Sequence, residues 1–336
     1  MSSLYKNDKI PSVKLNKEQK EYIELVQGKI ESKVYQLEAI ECLCKVKSTS
    51  DIVIAEKDRY GFDVKNILCK NCGLIRSEKI LDEFSLRSFY INEYRKIYQA
   101  DDGNLDSFFA NQKKIGLRFY NLFFTKVGHL TDANFFEIGC GAGGIMMAFQ
   151  EAGYNCKGSD FNVEYLNYGK RMGLFLEFGD YQELIQNESQ DVMMLSHVLE
   201  HLKDPIVELI NIFEKIKPNG YLIVEVPGIF SIHKVYFNPI LYFQNAHVYN
   251  FFEAYFREIA AHLGVNVIYG DEKCTFIFQK NKNHQPLKES KFAPINLKEY
   301  QTKIHQYLRN TKNKYLFRLN FYFWKTELFK LYKKLK

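Results

Sequence analysis

Between Asn134 and Gly144 an apolar run, Phe135-Phe136-Glu137-Ile138, stops at the cluster Gly139-Cys140-Gly141-Ala142-Gly143-Gly144, and a helix-patterned stretch, Ile145 to Gln150, follows at once. This succession reads as a strand, a tight turn and a helix N-terminus. Glycine tolerates positive φ and puts no Cβ between the turn and a ligand, so a nucleotide-like molecule can lie against the main chain there. The sequence downstream continues in the same manner. Further strands are expected to end at Asp160, at Leu176-Glu-Phe-Gly-Asp180, at Asp191 to Ser196 and at Tyr221 to Val226, with helical stretches between them. Strands alternating with helices predict an α/β domain over residues 105–280 with a doubly wound, mostly parallel sheet, whose ligands sit at the carboxyl ends of the strands.

The glycine loop alone leaves two ligands open. Gly139, Gly141 and Gly144 satisfy Gly-x-Gly-x-x-Gly, and Asp160 lies 21 residues beyond Gly139, close to the spacing of roughly 20 at which an acid meets a dinucleotide ribose. A nicotinamide dehydrogenase therefore competes with any other ribose-bearing cofactor. The rest of the constellation separates them. Glu137-Ile-Gly139-Cys140-Gly141-Ala-Gly143, Asp160 after the second strand, Gly179-Asp180 after the third and Ser196-His-Val-Leu-Glu-His201 after the fourth together resemble a class I S-adenosylmethionine-dependent methyltransferase. That resemblance implies a Rossmann-like fold. It would set the glycine turn against the methionine part and ribose of S-adenosylmethionine, Asp160 against the ribose hydroxyls and Asp180 against the adenine amino group. Cys140, Phe161, Tyr181 and Ser196 flank these positions and join Glu137, Gly139, Gly141 and Gly143 as candidate cofactor contacts.

His197, Glu200 and His201 stand at i, i+3 and i+4, so a helix starting here would present all three on one face; His247 is expected to join them. In one reading His201 is the general base that removes a hydroxyl proton, with Glu200 orienting it, because imidazole has the pKa for that task. In another the four bind a divalent ion. That arrangement resembles the Glu-x-x-Glu-His motif and later histidine of metal-assisted O-methyltransferases of ubiquinone synthesis and of small-RNA ends, with His197 in place of the first glutamate.

Cys42-x-Cys44 and Cys69-x-x-Cys72 are two close pairs separated by a short β-rich stretch, as a structural zinc site requires. Residues 41–84 are read as a zinc-ribbon-like module that follows an N-terminal helix in residues 1–40, expected over Lys17 to Ala39. Residues 85–104, with Phe89, Tyr90, Tyr94, Arg95 and Tyr98 at helical intervals, are read as an aromatic cap. Ribbon, aromatic segment and methyltransferase domain in this order resemble methyltransferases acting on sugars in nucleotide-sugar or surface-polysaccharide pathways. The expected reaction is O-methylation of a sugar hydroxyl; C- or N-methylation of a nucleotide sugar, an oxidoreductase and a catalytically silent binding protein remain the alternatives.

The net charge of +6 conceals a basic tail: residues 281–336 carry 14 Lys and Arg against three Glu, a charge of +11, leaving −5 for the rest. Its aromatic side chains, Tyr315 to Trp324 and Phe329, suit either a helix packed on the domain or contact with an acidic membrane surface. Nucleic acid is not expected as a partner, since no RNA-binding motif is present, and the oligomeric state is open. Neither an 18-residue apolar run nor an apolar leader is seen near Met1, so a cytoplasmic location is expected, at most peripheral to the inner membrane face.

Overall fold

A computed structural model of the chain describes residues 3–46, 51–98, 104–283, 292, 294 and 297–334, with side chains to Tyr322. The N-terminal part contains α1 (Lys17–Glu31), β1 (Leu37–Ala39), β2 (Ile52–Ala55), β3 (Asn66–Leu68), β4 (Ile75–Ser77), β5 (Lys79–Leu81), α2 (Glu83–Asn92) and α3 (Tyr94–Tyr98). The helix expected to reach Ala39 stops at Glu31. Ser32 Oγ donates to the Gly28 carbonyl, Lys33 turns into the left-handed region at φ 59°, and Leu37–Ala39 pairs instead with β5. The segment read as one aromatic cap over residues 85–104 forms two helices, α2 and α3, interrupted at Glu93, and residues 99–103 lie outside the described residues.

The large domain runs through α4 (Leu105–Lys126), β6 (Asn134–Ile138), α5 (Gly144–Glu151), β7 (Asn155–Asp160), α6 (Val163–Arg171), β8 (Phe175–Phe178), α7 (Tyr181–Leu184), β9 (Gln190–Ser196), α8 (Pro205–Lys215), β10 (Ile216–Glu225), α9 (Ile232–Val235), β11 (Tyr249–Asn250), α10 (Glu253–Leu263), β12 (Asn266–Gly270) and β13 (Thr275–Gln279). Its seven-stranded sheet has the order β12-β13-β10-β9-β6-β7-β8. Only β13 pairs antiparallel, with β10 and β12. The central strands carry apolar residues on both faces because helices cover both: Phe135 belongs to one core and Phe136 to the other, and Val192 to Leu195 are wholly buried. The chain leaves β6 outward to β7 and β8 and returns to β9 on the opposite side, so the crevice between the carboxyl ends of β6 and β9 is the topological switch point.

The cysteine-bearing module is woven into this domain. Its sheet has the order β11-β4-β3-β2, and β11 comes from the large domain, pairing Tyr249 with Arg76 and Asn250 with Ile75. A final helix, α11 (Tyr300–Lys334), packs its first turns back on the domain through the buried Ile304, Leu308 and Thr311. The side chains of Phe323, Trp324, Leu328, Phe329 and Leu331, part of the expected basic aromatic tail, lie outside the described residues. Among the described residues no helix is long and apolar enough to cross a membrane.

Candidate active site

At the end of β6 the chain turns through Gly139, Gly141 and Gly143 at φ 64°, 57° and 76°. Only glycine takes these values without strain. At Gly139 a Cβ would also come within 2.7 Å of Val198 Cγ2, so the loop lies directly beneath the turn that follows β9. Asp160 fixes the loop from the neighbouring strand end: its Oδ2 accepts Gly141 N–H at 2.8 Å and its Oδ1 accepts Asn162 N–H at 2.7 Å. Each oxygen keeps a second lone pair for a ribose hydroxyl.

Glu137 is buried in β6, and its Oε2 has no hydrogen-bond partner among the described residues. Burial, reinforced by Asp160, pushes its carboxyl well above the usual carboxylate range. A buried polar atom without a partner is costly, and this one stands beside the glycine turn, so the loop fits a ligand that supplies a donor. Asp180 is exposed at the neighbouring strand end, where it caps α7 by accepting Gln182 N–H at 2.9 Å. Phe161 and Phe178, both exposed, meet edge to face at 5.8 Å. Ser196 ends β9 in register with Glu225. Cys140 is buried within the loop. Tyr181 points away from the crevice into the core beside Glu208.

The turn after β9 is not an α-helix. His197 takes φ 56°, its N–H donates to Glu225 O at 2.9 Å, and a 3-10 turn follows over Leu199–His201. The functional groups nevertheless converge. Glu200 Oε1 lies 3.3 Å from His197 Nδ1, 3.8 Å from His201 Nε2 and 3.8 Å from His247 Nε2. Burial opposes the charge of Glu200, but its hydrogen bond with His197 outweighs it and holds the carboxyl below the usual carboxylate range. His201 Nδ1 lies 3.0 Å from the Ala246 carbonyl. A carbonyl can only accept, so Nδ1 carries the proton and Nε2 presents its lone pair toward Glu200. Burial lowers the pKa of His201 and takes that of His247 to about 3, so both are neutral at pH 7; His197, half exposed, is raised by Glu200 against the effect of its burial.

A cleft of about 230 Å³ adjoins this cluster, lined among others by Arg118, His197, Glu225, Ser231, Tyr236 and Lys273. Glu225 pairs with Arg118 at 2.6 Å and takes a hydrogen bond from Thr275 Oγ1. Sequence reasoning missed Glu225 and Arg118. A lone acid at the carboxyl end of an apolar strand was the available signal for the first; nothing in the pattern of α4 distinguishes the second. It also missed Gln112, which clips the glycine loop by donating to Cys140 O at 3.0 Å and accepting Gly144 N–H at 3.1 Å.

The cysteines meet as two cross-pairs, with Cys42 Sγ 3.5 Å from Cys72 Sγ and Cys44 Sγ 3.7 Å from Cys69 Sγ. All four sulfurs lie within 4.8 Å of one another. Bonds of about 2.3 Å to a tetrahedral zinc place sulfurs roughly 3.8 Å apart, so the single residue between Cys42 and Cys44 is no obstacle to the geometry. Arg76, paired with Asp51 at 2.9 Å, adds positive charge beside the thiols. The module also holds His247 of the Glu200 cluster: Ser77 Oγ donates to His247 O at 3.0 Å, Ser77 N–H to Val248 O at 2.9 Å, and Val248 N–H to Glu200 O at 2.8 Å.

Residues 109–269 match the model of a family described as a methyltransferase domain. Two curated relatives are ubiquinone biosynthesis O-methyltransferases: one from Rickettsia akari, 28% identical over 102 residues, covering 29% of this chain and 41% of the relative, and one from Rickettsia canadensis, 30% identical over 94 residues, covering 26% and 40%. The chain thus spans about two fifths of the length of these relatives. Among solved structures, an S-adenosylmethionine-dependent methyltransferase from Archaeoglobus fulgidus is 20% identical over 55% of this chain and 75% of its own, with a TM-score of 0.39. One from Methanosarcina mazei is 17% identical over 46% and 94%, with a TM-score of 0.37.

Proposed function

We propose, from the match of residues 109–269 to a family described as a methyltransferase domain, that the chain is a class I S-adenosylmethionine-dependent methyltransferase that methylates a hydroxyl of a sugar, in a nucleotide sugar or a surface glycan, with His201 as general base. One observation carries this reading: the Nδ1–H of His201 is committed to Ala246 O, which leaves Nε2 as a neutral, buried acceptor beside the anionic Glu200.

When bound, the cofactor supplies an electrophilic methyl group on a sulfonium. Gly139, Gly141 and Gly143 would leave room for it against the main chain, Asp160 and Asp180 would accept its ribose hydroxyls and adenine amino group, and the Glu137 carboxyl would take a donor. His201 Nε2 would take the proton that the acceptor hydroxyl gives up on methyl transfer. Glu200 then stabilises the imidazolium, since an opposite charge in a dry site favours the charged form. His197, charged more readily, faces Glu225 at 3.8 Å and is assigned to acceptor positioning. Tyr90, whose hydroxyl lies 3.4 Å from His201 Nδ1, and Tyr236 offer aromatic faces and hydroxyls to a sugar.

A second reading has support of its own: ligand atoms of Glu200, His201 and His247 lie within 4.8 Å of one another. Two imidazoles and a carboxylate suit zinc or another transition ion better than magnesium. Such an ion would lower the pKa of the acceptor hydroxyl and make a separate base unnecessary. At the other end of the chain, Cys42, Cys44, Cys69 and Cys72 are assigned to a structural zinc. Lys314, Arg318 and the exposed Leu316 and Phe317 of α11 suit peripheral contact with an anionic membrane.

The cofactor assignment is tested by titrating the full chain with S-adenosylhomocysteine and with NADH. Binding of the first alone is expected, and binding of NADH alone overturns the assignment. The acceptor class is tested by mass spectrometry of nucleotide sugars and surface glycans for a product heavier by one CH₂. Product confined to non-sugar acceptors would overturn it.

A further inference from the structure

The turn between β2 and β3 of the module carries an arginine whose charge the protein leaves largely unanswered. Arg59 is half-buried; its Nη1 donates to Leu241 O at 3.3 Å, and the guanidinium lies 5.1 Å over the ring of Tyr60. Its Nε is buried with no hydrogen-bond partner, and among the described residues no carboxylate stands within ion-pair distance of it. The adjacent Asp58 is turned elsewhere: its Oδ1 accepts Tyr60 and Phe62 N–H at 2.8 and 3.0 Å, and its Oδ2 accepts Asn245 N–H at 3.1 Å.

Arginine has five N–H donors and cannot shed its proton, so a half-buried guanidinium that meets only the Leu241 carbonyl at 3.3 Å and the Tyr60 side chain leaves donors unused. Two further polar atoms nearby, the Tyr98 hydroxyl and Asn245 Oδ1, are buried with no hydrogen-bond partner among the described residues. Tyr98 lies 4.9 Å from Tyr60, ring to ring, and Asn245 is the residue bonded to Asp58. The field of Arg59 also reaches Tyr94, Tyr236 and His247, favouring the deprotonated form of each. Geometry joins this region to the histidine cluster: Asn245, bonded to Asp58, precedes Ala246, whose carbonyl meets His201 Nδ1 at 3.0 Å, and Tyr98 stacks on Tyr94 and Tyr94 meets Tyr90, whose hydroxyl lies 3.4 Å from His201 Nδ1.

We propose that Arg59 is the anchor for an oxyanion, a phosphate or a carboxylate, carried by the acceptor, which makes the cysteine-bearing module part of the acceptor site. The inference rests on the methyltransferase reading above and narrows its acceptor to an anionic one. The planar fork of a guanidinium presents parallel donors that match two oxygens of such a group. Asn245 and Tyr98 add a neutral acceptor and a hydroxyl for the groups next to it.

The test is titration of the full chain, saturated with S-adenosylhomocysteine, with inorganic pyrophosphate and separately with glucuronate, for wild type, Arg59→Gln and Arg59→Lys. Wild type is expected to bind one of the two anions. Arg59→Gln and Arg59→Lys should both bind it at least tenfold more weakly, with affinity for S-adenosylhomocysteine unchanged. Pyrophosphate binding assigns the phosphate source and glucuronate binding the carboxylate source. Binding of neither anion, or equal binding by the variants, overturns the inference and leaves the methyltransferase reading standing. If Arg59→Gln fails to fold, Arg59→Lys, which keeps the charge and loses the fork, decides alone. Failure of the chain to bind S-adenosylhomocysteine sinks the methyltransferase reading, while the anion titrations are still read on the unliganded chain.

Discussion

His247 Nε2 lies 3.8 Å from Glu200 Oε1, and the main chain of His247 is held by Ser77 of the module. The cysteine-bearing module and the candidate catalytic cluster are therefore joined through Ser77 of β4 and His247, which lies just before β11. Loss of the first should disturb the second.

Purified protein should contain zinc in proportion to chain, and Cys69→Ser combined with Cys72→Ser should remove it. Because the module is too small to hold itself by its own core, the double variant should melt at a lower temperature. It should also lose turnover through the displaced His247. Metal analysis and thermal melting check this; wild-type protein without zinc, prepared under reducing conditions, contradicts it.

Replacing Gly139 with Ala forces a Cβ to within 2.7 Å of Val198 Cγ2 at a backbone φ of 64°. The cost of the left-handed conformation alone is about 1 kcal/mol. Affinity for S-adenosylhomocysteine should fall at least tenfold, measured by calorimetry, whereas Gly28→Ala in α1, where the backbone is helical and nothing lies near the Cβ direction, should leave binding unchanged.

Turnover should rise with pH along a single acid limb. The base must be neutral, and burial holds the pKa of His201 below the ordinary histidine value, so the limb should lie below pH 6.5, the value for a free imidazole. Glu200→Gln removes the charge that stabilises the imidazolium, so the limb should move lower still and kcat should fall. A pH profile of kcat/KM for both proteins measures this; a limb above that of free imidazole contradicts it.

Peripheral membrane contact predicts that the full chain sediments with vesicles containing anionic lipid and less so with neutral ones. Lys314→Glu combined with Phe317→Ala should reduce sedimentation without changing cofactor affinity. Equal sedimentation by the variant contradicts the assignment of this face.

Much of this was legible in the sequence because strand ends carry their own signals. The strands expected to end at Ile138, Asp160 and Ser196 are seen, and the glycine loop lies where its composition requires positive φ. Helical spacing at His197, Glu200 and His201 suggested one shared face, yet the convergence is achieved by a left-handed residue and a 3-10 turn. Local spacing could not reveal that the strand after His247 completes the module's sheet, since strand pairing across more than 170 residues leaves no periodic trace. Arg59 and Glu225 escaped for a similar reason: what marks them is the partner each has or lacks in space. The aromatic ladder of Tyr90, Tyr94 and Tyr98, with rings 4.6 Å apart, was visible as spacing, but its place beside His201 was not.

The most direct measurement is methyl transfer from S-adenosylmethionine to the acceptor pool, followed by mass spectrometry, for wild type and His201→Ala at matched affinity for S-adenosylhomocysteine. Wild type should yield a product heavier by one CH₂, and His201→Ala should yield it roughly 10²–10⁴-fold more slowly, the usual contribution of a general base. Equal turnover by the two proteins would contradict the account.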